Sequence, residues 1–137
     1  MQFVDVCAAV IRRGELILLA TRPPGSRLAG KWEFPGGKVS VGESLEACIR
    51  REIVEELGLE LLNAVLIGTV ERGEQCPPVR LHFLDCTVAA GAEPQCREGQ
   101  TARWFAPEEL AGLDLLPGDQ VFARRYLAAR APAGSSA

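Results

Sequence analysis

The sequence predicts a single domain of the α/β (α+β) class. Segments rich in β-branched residues, bounded by turn residues, lie on both sides of a glutamate-rich segment with helical spacing. The chain has 137 residues, enough to bury a core, and its apolar fraction of 47% and charged fraction of 24% are ordinary for a globular domain. We expect the domain to span residues 1–131 and the small, polar tail, residues 132–137, to be disordered.

The N-terminal part of the chain predicts strands joined by turns and loops. Three strands are expected: Phe3–Arg12, Glu15–Thr21 and Trp32–Phe34. Arg13 and Gly14 supply a turn between the first two. The stretch Pro23–Gly30 is rich in proline and glycine and therefore predicts a loop, and the pair Gly36 and Gly37 predicts a second loop.

A helix is predicted between Ser44 and Gly58. Serine is a favourable N-cap, because its hydroxyl accepts a hydrogen bond from a free N–H of the first turn. Glycine suits the position just past a helix end. The apolar positions that we expect to face the core are Ala47, Ile53, Val54 and Leu57.

The second half of the chain predicts a hairpin followed by shorter elements. The hairpin strands are Asn63–Glu71 and Val79–Val88. The elements expected after them are a final strand at Trp104–Phe105, a short helix starting at Pro107–Leu110, and a last helix at Gln120–Ala129. Pro107 suits the first turn of a helix, where its missing N–H is not needed.

Three glutamates of the central helix, Glu52, Glu55 and Glu56, have the spacing i, i+3 and i+4. This spacing places them within about one quadrant of the helix surface. Like charges so arranged repel by roughly 0.2–0.5 kcal/mol per pair. Carboxylate oxygens suit Mg²⁺, Mn²⁺ or Ca²⁺, which would neutralise them. Taken alone, such a helix is more often a solvated charged face, so the residues before it decide the interpretation.

The residues around this helix resemble the Nudix box. The pattern is Gly37, five residues, Glu43, seven residues, Arg51-Glu52-Ile53, one residue, Glu55-Glu56, one residue and Gly58-Leu59. Every specified position of the box is filled. The flanking residues, Lys31–Pro35 and Lys38, resemble the MutT-type branch, which removes pyrophosphate from nucleoside triphosphates. The resemblance extends more loosely from about Val4 to Phe122, and it implies a mixed β-sheet sandwiched between helices.

The resemblance implies a metal site and a general base. The implied cofactor is Mg²⁺, with Mn²⁺ as a possible substitute, and the implied ligands are the carbonyl of Gly37 and the carboxylates of Glu52, Glu55, Glu56 and Glu98. Glu52 is the leading candidate for the general base, oriented by charge-assisted hydrogen bonds from Arg51. Glu98 is the second candidate. Gly36, Glu43 and Gly58 are expected to have structural roles in the box.

The resemblance also implies residues that contact the substrate. Arg22 matches an arginine that contacts phosphate, and Lys38 is a second candidate for that role. Asp119 stands where MutT proteins carry an asparagine that reads an oxidised guanine. An ionised aspartate only accepts hydrogen bonds, so it suits the N7–H of 8-oxoguanine or the amine of cytosine, and it must be protonated or assisted to meet guanine O6. Phe34 and Leu28 are apolar candidates for flanking the base.

The expected function is Mg²⁺-dependent hydrolysis of a nucleoside triphosphate to the monophosphate and pyrophosphate. The first candidate substrate is 8-oxo-dGTP, with sanitisation of the nucleotide pool as the task. Because Asp119 replaces the asparagine, a CTP- or dCTP-type pyrophosphohydrolase is the alternative. An alternative of another class is a nucleotide-binding regulatory module without turnover. Such a module is expected to lack one of the carboxylates of the box, and none is missing in this sequence.

Composition argues against several other classes. The net charge of −3 disfavours a broad surface for a nucleic acid polymer. The five cysteines are odd in number and form no CxxC pair, which disfavours a disulfide framework or a zinc site and favours the reduced thiols of the cytoplasm. We see no signal-peptide pattern and no apolar run of membrane-spanning length. We therefore expect a cytoplasmic enzyme without a membrane or obligate protein partner.

Overall fold

The structure, a computed structural model, describes residues 2–130, so the predicted tail at residues 132–137 lies outside it. The elements in chain order are β1 (Val4–Arg13), β2 (Leu16–Thr21), β3 (Trp32–Glu33), β4 (Gly36–Lys38), α1 (Leu45–Leu57), β5 (Asn63–Arg72), β6 (Val79–Thr87), β7 (Ala102–Phe105), a 3₁₀-helix (Pro107–Gly112) and α2 (Pro117–Arg130). Within residues 2–130, none of the helices combines the length and the apolar character needed to cross a membrane.

In the described part of the chain, seven strands form one mixed sheet. The order is β3-β2-β1-β6-β5, with β4 paired to β1 and β7 paired to β2. β1 runs parallel to β6, and β5 and β6 form the predicted antiparallel hairpin. The mixed sheet predicted from the resemblance is therefore confirmed, and β1 lies at its centre.

The sheet is covered by a helix on each face, as expected. Along β1, Cys7, Ala9 and Ile11 pack in the core cluster that contains the buried residues of α1. Ala8 and Val10 point to the opposite face and pack in the cluster that contains Phe122 and Ala123 of α2. Because both faces of β1 are buried, its sequence is almost continuously apolar instead of alternating.

The predicted caps of α1 are confirmed. The Ser44 side chain accepts a hydrogen bond from the N–H of Ala47 at 3.1 Å. Gly58 ends the helix in the left-handed region with φ 62°, and its N–H donates to the carbonyl of Val54. The box sequence thus encodes both ends of the helix that carries its glutamates.

The predicted core-facing side of α1 was partly wrong. The buried residues of the helix are Cys48, Ile49, Ile53 and Leu57. Ala47 and Val54 are exposed instead. With 3.6 residues per turn, Ile49, Ile53 and Leu57 form one stripe, and Ala47 and Val54 lie roughly 140° or more from Ile49 around the helix axis.

The glycine pair predicted as a loop forms the short strand β4. Gly36 pairs with Ala8 and Gly37 pairs with Cys7 in antiparallel register. A Cβ atom at Gly36 would lie 1.9 Å from the carbonyl oxygen of Cys7. Only glycine allows this approach, so the missing side chain lets the backbone of the box pair directly with the central strand.

Replacing Gly36 by alanine is expected to destabilise the fold by about 3 kcal/mol, since the added methyl group meets backbone that is held within the sheet. In a domain of this size that loss lowers Tm by roughly 10 °C. Gly112→Ala is the matched control, because a Cβ there has no atom within 4 Å. Thermal unfolding of both variants checks this, and equal Tm values for G36A and G112A would contradict the packing described.

The last helix begins earlier than predicted. We expected residues 117–119 to precede the helix, but α2 starts at Pro117. Proline at the first position of a helix loses no hydrogen bond. Pro117 therefore marks a helix start in the same way as Pro107 does. As a result Asp119 lies in the first turn of α2, where its side chain is buried.

Candidate active site

Arg51 is the centre of an ion-pair network that holds the box together. Its Nε and one terminal nitrogen donate to the two carboxylate oxygens of Glu43 at 2.7 and 2.9 Å. Its other terminal nitrogen donates to Glu52 at 2.8 Å. Together with the N–H of Ser40, Arg51 lowers the pKa of Glu43 to about 2. Glu43 thus fixes the arginine, and the arginine orients Glu52.

The carboxylate of Glu52 packs against the backbone of β4. A Cβ atom at Gly37 would lie 2.4 Å from the carboxyl carbon of Glu52, so glycine leaves the space that this side chain fills. The carbonyl oxygen of Gly37, a predicted metal ligand, lies 3.4 Å from the thiol of Cys7 and 3.8 Å from that of Cys48. The structure therefore brings two predicted ligands, Gly37 and Glu52, into contact.

Acidic residues from three segments gather beside the C-terminal half of α1. Burial raises the pKa of Glu56, and the charges of Glu52, Glu98 and Glu33 raise it further. Burial also raises the pKa of Glu33 to about 7, against the attraction of Arg22, whose guanidinium lies 3.7 Å from it. A partly buried group of like charges favours any cation that can join it.

The donor set fits a hard divalent cation. The groups available are carboxylate and carbonyl oxygens, which Mg²⁺ and Mn²⁺ prefer. Burial, and next the charges of Glu52, Glu98 and Glu33, raise the pKa of Glu56, so a cation among these carboxylates would favour the ionised form. Among residues 2–130, no three acidic, histidine or cysteine side chains already converge as a metal cluster. Glu52 and Glu55 instead point to Arg51, at 2.8 and 3.4 Å.

Glu56→Gln is expected to stabilise the metal-free protein at alkaline pH. The pKa of Glu56 is raised in the folded state, so its contribution to stability is full below the unfolded value of 4.5 and is lost as pH rises above it. Glutamine does not titrate, so at pH 8 in a chelator we expect Tm to exceed wild type by roughly 3 °C or more. Glu60→Gln, at an exposed glutamate, is the control. A wild type more stable than E56Q under these conditions would contradict the cluster.

Two adjoining cavities meet at Arg22 and Asp119. The larger, of about 410 Å³, is also lined by Leu28, and its volume suits a small-molecule ligand. The smaller, of about 170 Å³, is also lined by Phe34 and Lys38, and it reaches Gly37 of β4. The residues predicted for base and phosphate recognition therefore line two cavities with shared walls, and the smaller one is also lined by Glu33 of the acidic cluster.

The two apolar candidates for base contact differ in exposure. Phe34 is 3% exposed, and its ring packs edge-on against Phe83 and Phe122 in the core. Leu28 is 42% exposed and has a left-handed backbone with φ 59°. A leucine held in that conformation is strained, which is common at ligand sites. Leu28 therefore offers an exposed apolar surface to the larger cavity, whereas the ring of Phe34 is part of the core.

Asp119 is buried, and burial makes it a neutral acid near pH 7. Its Oδ2 accepts a hydrogen bond from the N–H of Phe34 at 2.8 Å. Burial nevertheless raises the pKa of Asp119 to about 8, and the charge of Glu33 adds to the rise. A protonated carboxyl has one donor and retains acceptors, so it presents the same two functions as an asparagine side chain. The sequence analysis required Asp119 to be protonated or assisted in order to meet guanine O6, and burial favours the protonated form.

Glu33 is a candidate site residue that the sequence analysis missed. It lies on β3 beside Ala20 of β2, which brings it close to Arg22. The charge of its carboxylate raises the pKa of both Glu56 and Asp119. The available signal was an acidic residue in a short strand directly before the box, between Trp32 and Phe34.

A family model described as the NUDIX domain matches residues 1–129. The chain belongs to the Nudix family. It is 37% identical over 131 residues to the CTP pyrophosphohydrolase of Escherichia coli K12, covering 96% of each chain. It is 36% identical over 121 residues to the putative 8-oxo-dGTP diphosphatase 2 of Mycobacterium tuberculosis CDC 1551, covering 84% of this chain and 82% of that one. The solution structure of the Escherichia coli ORF135 protein matches with a TM-score of 0.79 at 36% identity, covering 96% of this chain and 93% of that one.

These relationships confirm the resemblance on which the sequence analysis depended. The protein is a MutT-like Nudix hydrolase, an enzyme of the nucleotide diphosphatase kind. Nudix hydrolases generally depend on a divalent metal ion and act on nucleotides. The roles of individual residues in this Nudix site stay predictions.

Proposed function

We propose that this Nudix enzyme hydrolyses a nucleoside triphosphate to the monophosphate and pyrophosphate with Mg²⁺ as cofactor. The observation that carries the proposal is the arrangement of the two cavities. Asp119 lines both, and the smaller reaches Gly37, which contacts Glu52. A nucleotide with its base near Asp119 would therefore extend its phosphates towards the acidic residues of α1.

The proposed chemistry assigns one task to each group around the phosphates. Residues of the box and of the β6–β7 loop would hold Mg²⁺, or Mn²⁺ in its place, which would neutralise phosphate charge: Gly37, Glu52, Glu55, Glu56 and Glu98. Glu52 takes the proton of the attacking water, and Arg51, at 2.8 Å, holds its carboxylate in place. Arg22 and Lys38 bind phosphate oxygens at the cavity wall.

The neutral carboxyl of Asp119 supports two candidate bases. A carboxyl group with one donor and one acceptor pairs with an edge of the base on which a donor lies beside an acceptor. 8-Oxoguanine offers N7–H beside O6, and cytosine offers its amine beside N3. On its Hoogsteen edge, unmodified guanine offers two acceptors at N7 and O6, which a single donor cannot satisfy. If Asp119 reads that edge of the base, as we propose, the pattern favours 8-oxo-dGTP over dGTP.

A CTP- or dCTP-type substrate is the second candidate. The relative that matches 96% of both chains is named a CTP pyrophosphohydrolase, and the mycobacterial relative is named a putative 8-oxo-dGTP diphosphatase. Both names agree with the hydrogen-bond pattern of a protonated Asp119. A regulatory module without turnover is disfavoured, because the sequence retains every carboxylate of the box.

A nucleotide panel with Mg²⁺ tests the proposal. We expect pyrophosphate and a monophosphate as products, and a kcat/KM for 8-oxo-dGTP or CTP about 100-fold or more above that for dGTP, the upper range for one well-matched base contact. Phosphate release in place of pyrophosphate would contradict the reaction proposed. Equal rates for dGTP and both candidates would contradict base selection, and binding without hydrolysis would establish the regulatory alternative.

A further inference from the structure

The loop between β6 and β7 is attached to the C-terminal end of α1. The last carbonyl groups of a helix have no partner within the helix. Here the N–H of Gln95 donates to the carbonyl of Leu57 at 2.7 Å, and the N–H of Arg97 donates to that of Glu56 at 3.1 Å. The Arg97 side chain donates to the carbonyl of Val54 at 3.2 Å. The loop thus supplies partners for the carbonyls of Glu56 and Leu57, and a second donor for that of Val54, which also accepts from Gly58.

Gln100 connects this loop to the helix through its side chain. Its Oε1 accepts a hydrogen bond from the N–H of Glu98 at 2.8 Å. Its Nε2 donates to the carbonyl of Glu56 at 3.3 Å. Gln100 is 8% exposed, one of two buried polar or charged residues within residues 2–130. A buried amide is kept where its hydrogen bonds are needed, and here they join the backbones of two predicted metal ligands.

Glu98 lies in a part of the β6–β7 loop that restrains its side chain little. It lies in the exposed segment 95–99, and Gly99 follows it with φ 78°. An exposed loop gives a carboxylate little positional restraint of its own, whereas function at a metal site requires the ligand to be held by its neighbours. The Gln100 side chain is directly bonded to the Glu98 backbone, so it is the group placed to provide that restraint.

We propose that Gln100 is a positioning residue, which holds Glu98 opposite Glu56 and thereby sets the affinity of the site for its divalent cation. This inference rests on the proposed function, since it takes Glu98 as a ligand. A purely structural Gln100 would contribute to stability and leave cation affinity unchanged once the protein is folded.

The test replaces Gln100 by methionine, which keeps the length of the side chain and removes both hydrogen bonds. Mn²⁺ is titrated into the full chain without nucleotide, and free Mn²⁺ is followed by electron paramagnetic resonance. We expect Kd for Mn²⁺ to rise about tenfold, the lower range for losing a group that orients a ligand. Gln95→Ala is the matched control, because the bond from Gln95 to Leu57 uses the backbone N–H and survives the change.

Hydrogen exchange gives a readout independent of the metal. In chelator, the amide of Glu98 should exchange faster in Q100M than in wild type, and in Q95A it should not. If Q100M fails to fold, Gln100→Ala removes the same bonds and is measured in its place. A folded Gln100 variant with wild-type Kd for Mn²⁺ overturns the inference.

A double-mutant cycle shows whether Gln100 acts through Glu98. Glu98→Gln should weaken Mn²⁺ binding, and adding Q100M to that variant should change Kd by less than twofold, because residues that act through one another are not additive. A full tenfold effect of Q100M in both backgrounds overturns positioning through Glu98. If E98Q itself binds Mn²⁺ like wild type, the proposed ligand role of Glu98 fails, which is distinct from a failure of Gln100 alone.

Discussion

Glu52→Gln is expected to lower kcat by about 10²–10⁴-fold, the usual contribution of a positioned general base. Glutamine keeps the length of the side chain and an acceptor for Arg51, which now donates to Glu52 at 2.8 Å. The packing against Gly37 is also kept, so the fold and the network around Arg51 should survive. Since Glu52 is also a proposed metal ligand, turnover is compared at saturating Mg²⁺, where the loss of proton transfer should appear in kcat and change KM much less.

Single-turnover release of pyrophosphate at saturating Mg²⁺ measures this loss. Glu46→Gln is the matched control on the same helix, since Glu46 is exposed and pairs with Arg50 at 3.1 Å, away from the acidic cluster. We expect E46Q to retain wild-type turnover. Near-wild-type turnover in E52Q would show that Glu52 is not the base, and Glu98 would take its place as the candidate.

Asp119→Ala is expected to reduce the preference for the favoured base by about 10–100-fold, the value of one bidentate base contact. The preference is the ratio of kcat/KM for 8-oxo-dGTP or CTP to that for dGTP. Alanine removes both the donor and the acceptor, and it leaves the N–H of Phe34 without its present partner. Turnover of each nucleotide at saturating concentration should change less, because the role proposed for Asp119 is base recognition and not proton transfer. An unchanged ratio would show that Asp119 does not read the base.

The pH profile of Asp119→Asn tests the protonated state directly. Burial raises the pKa of Asp119 to about 8, so the neutral form predominates below that pH and its donor is lost as pH rises through it. Wild-type kcat/KM for the favoured nucleotide should therefore fall between pH 7 and 9, relative to D119N at each pH. Asparagine keeps a donor and an acceptor throughout. Dividing the wild-type kcat/KM by that of D119N at each pH removes the titration of Glu33 and Glu56, which both proteins share. If the two pH profiles are parallel, the neutral state of Asp119 is contradicted.

The box could be predicted from the sequence because its information is local. The cap at Ser44, the end at Gly58 and the spacing of Glu52 and Glu56 all depend on residues within a few turns of one helix. The strand at Gly36 could not be predicted in the same way. Its partner is Ala8 of β1, and the contact that requires a glycine is made with a backbone carbonyl far away in the sequence.

The features of the site that the sequence analysis missed depend on partners that are distant in the sequence. Glu33 gains its importance from Arg22, Glu56 and Asp119, which the fold brings together from the loop after β2, from α1 and from α2. The raised pKa of Asp119 depends on burial in the first turn of α2, which an ionised aspartate would oppose. Gln100 is ordinary in composition, and its two hydrogen bonds become visible only when the β6–β7 loop lies on α1. Local pattern predicts the helix of the site, whereas three-dimensional assembly decides the electrostatics around it.

The parallel pairing of β1 with β6 has a consequence for how the protein is made. Val4 pairs with Val79 and Arg12 with Thr87, so the edge of the central strand that faces away from β2 and β4 has no partner until β6 has been made. Contacts of such long sequence separation slow folding, and unpaired apolar strands promote aggregation. During synthesis, every ribosome-bound chain that ends before β6 should expose the edge of β1, and chaperones that shield extended apolar segments should bind it until Thr87 emerges.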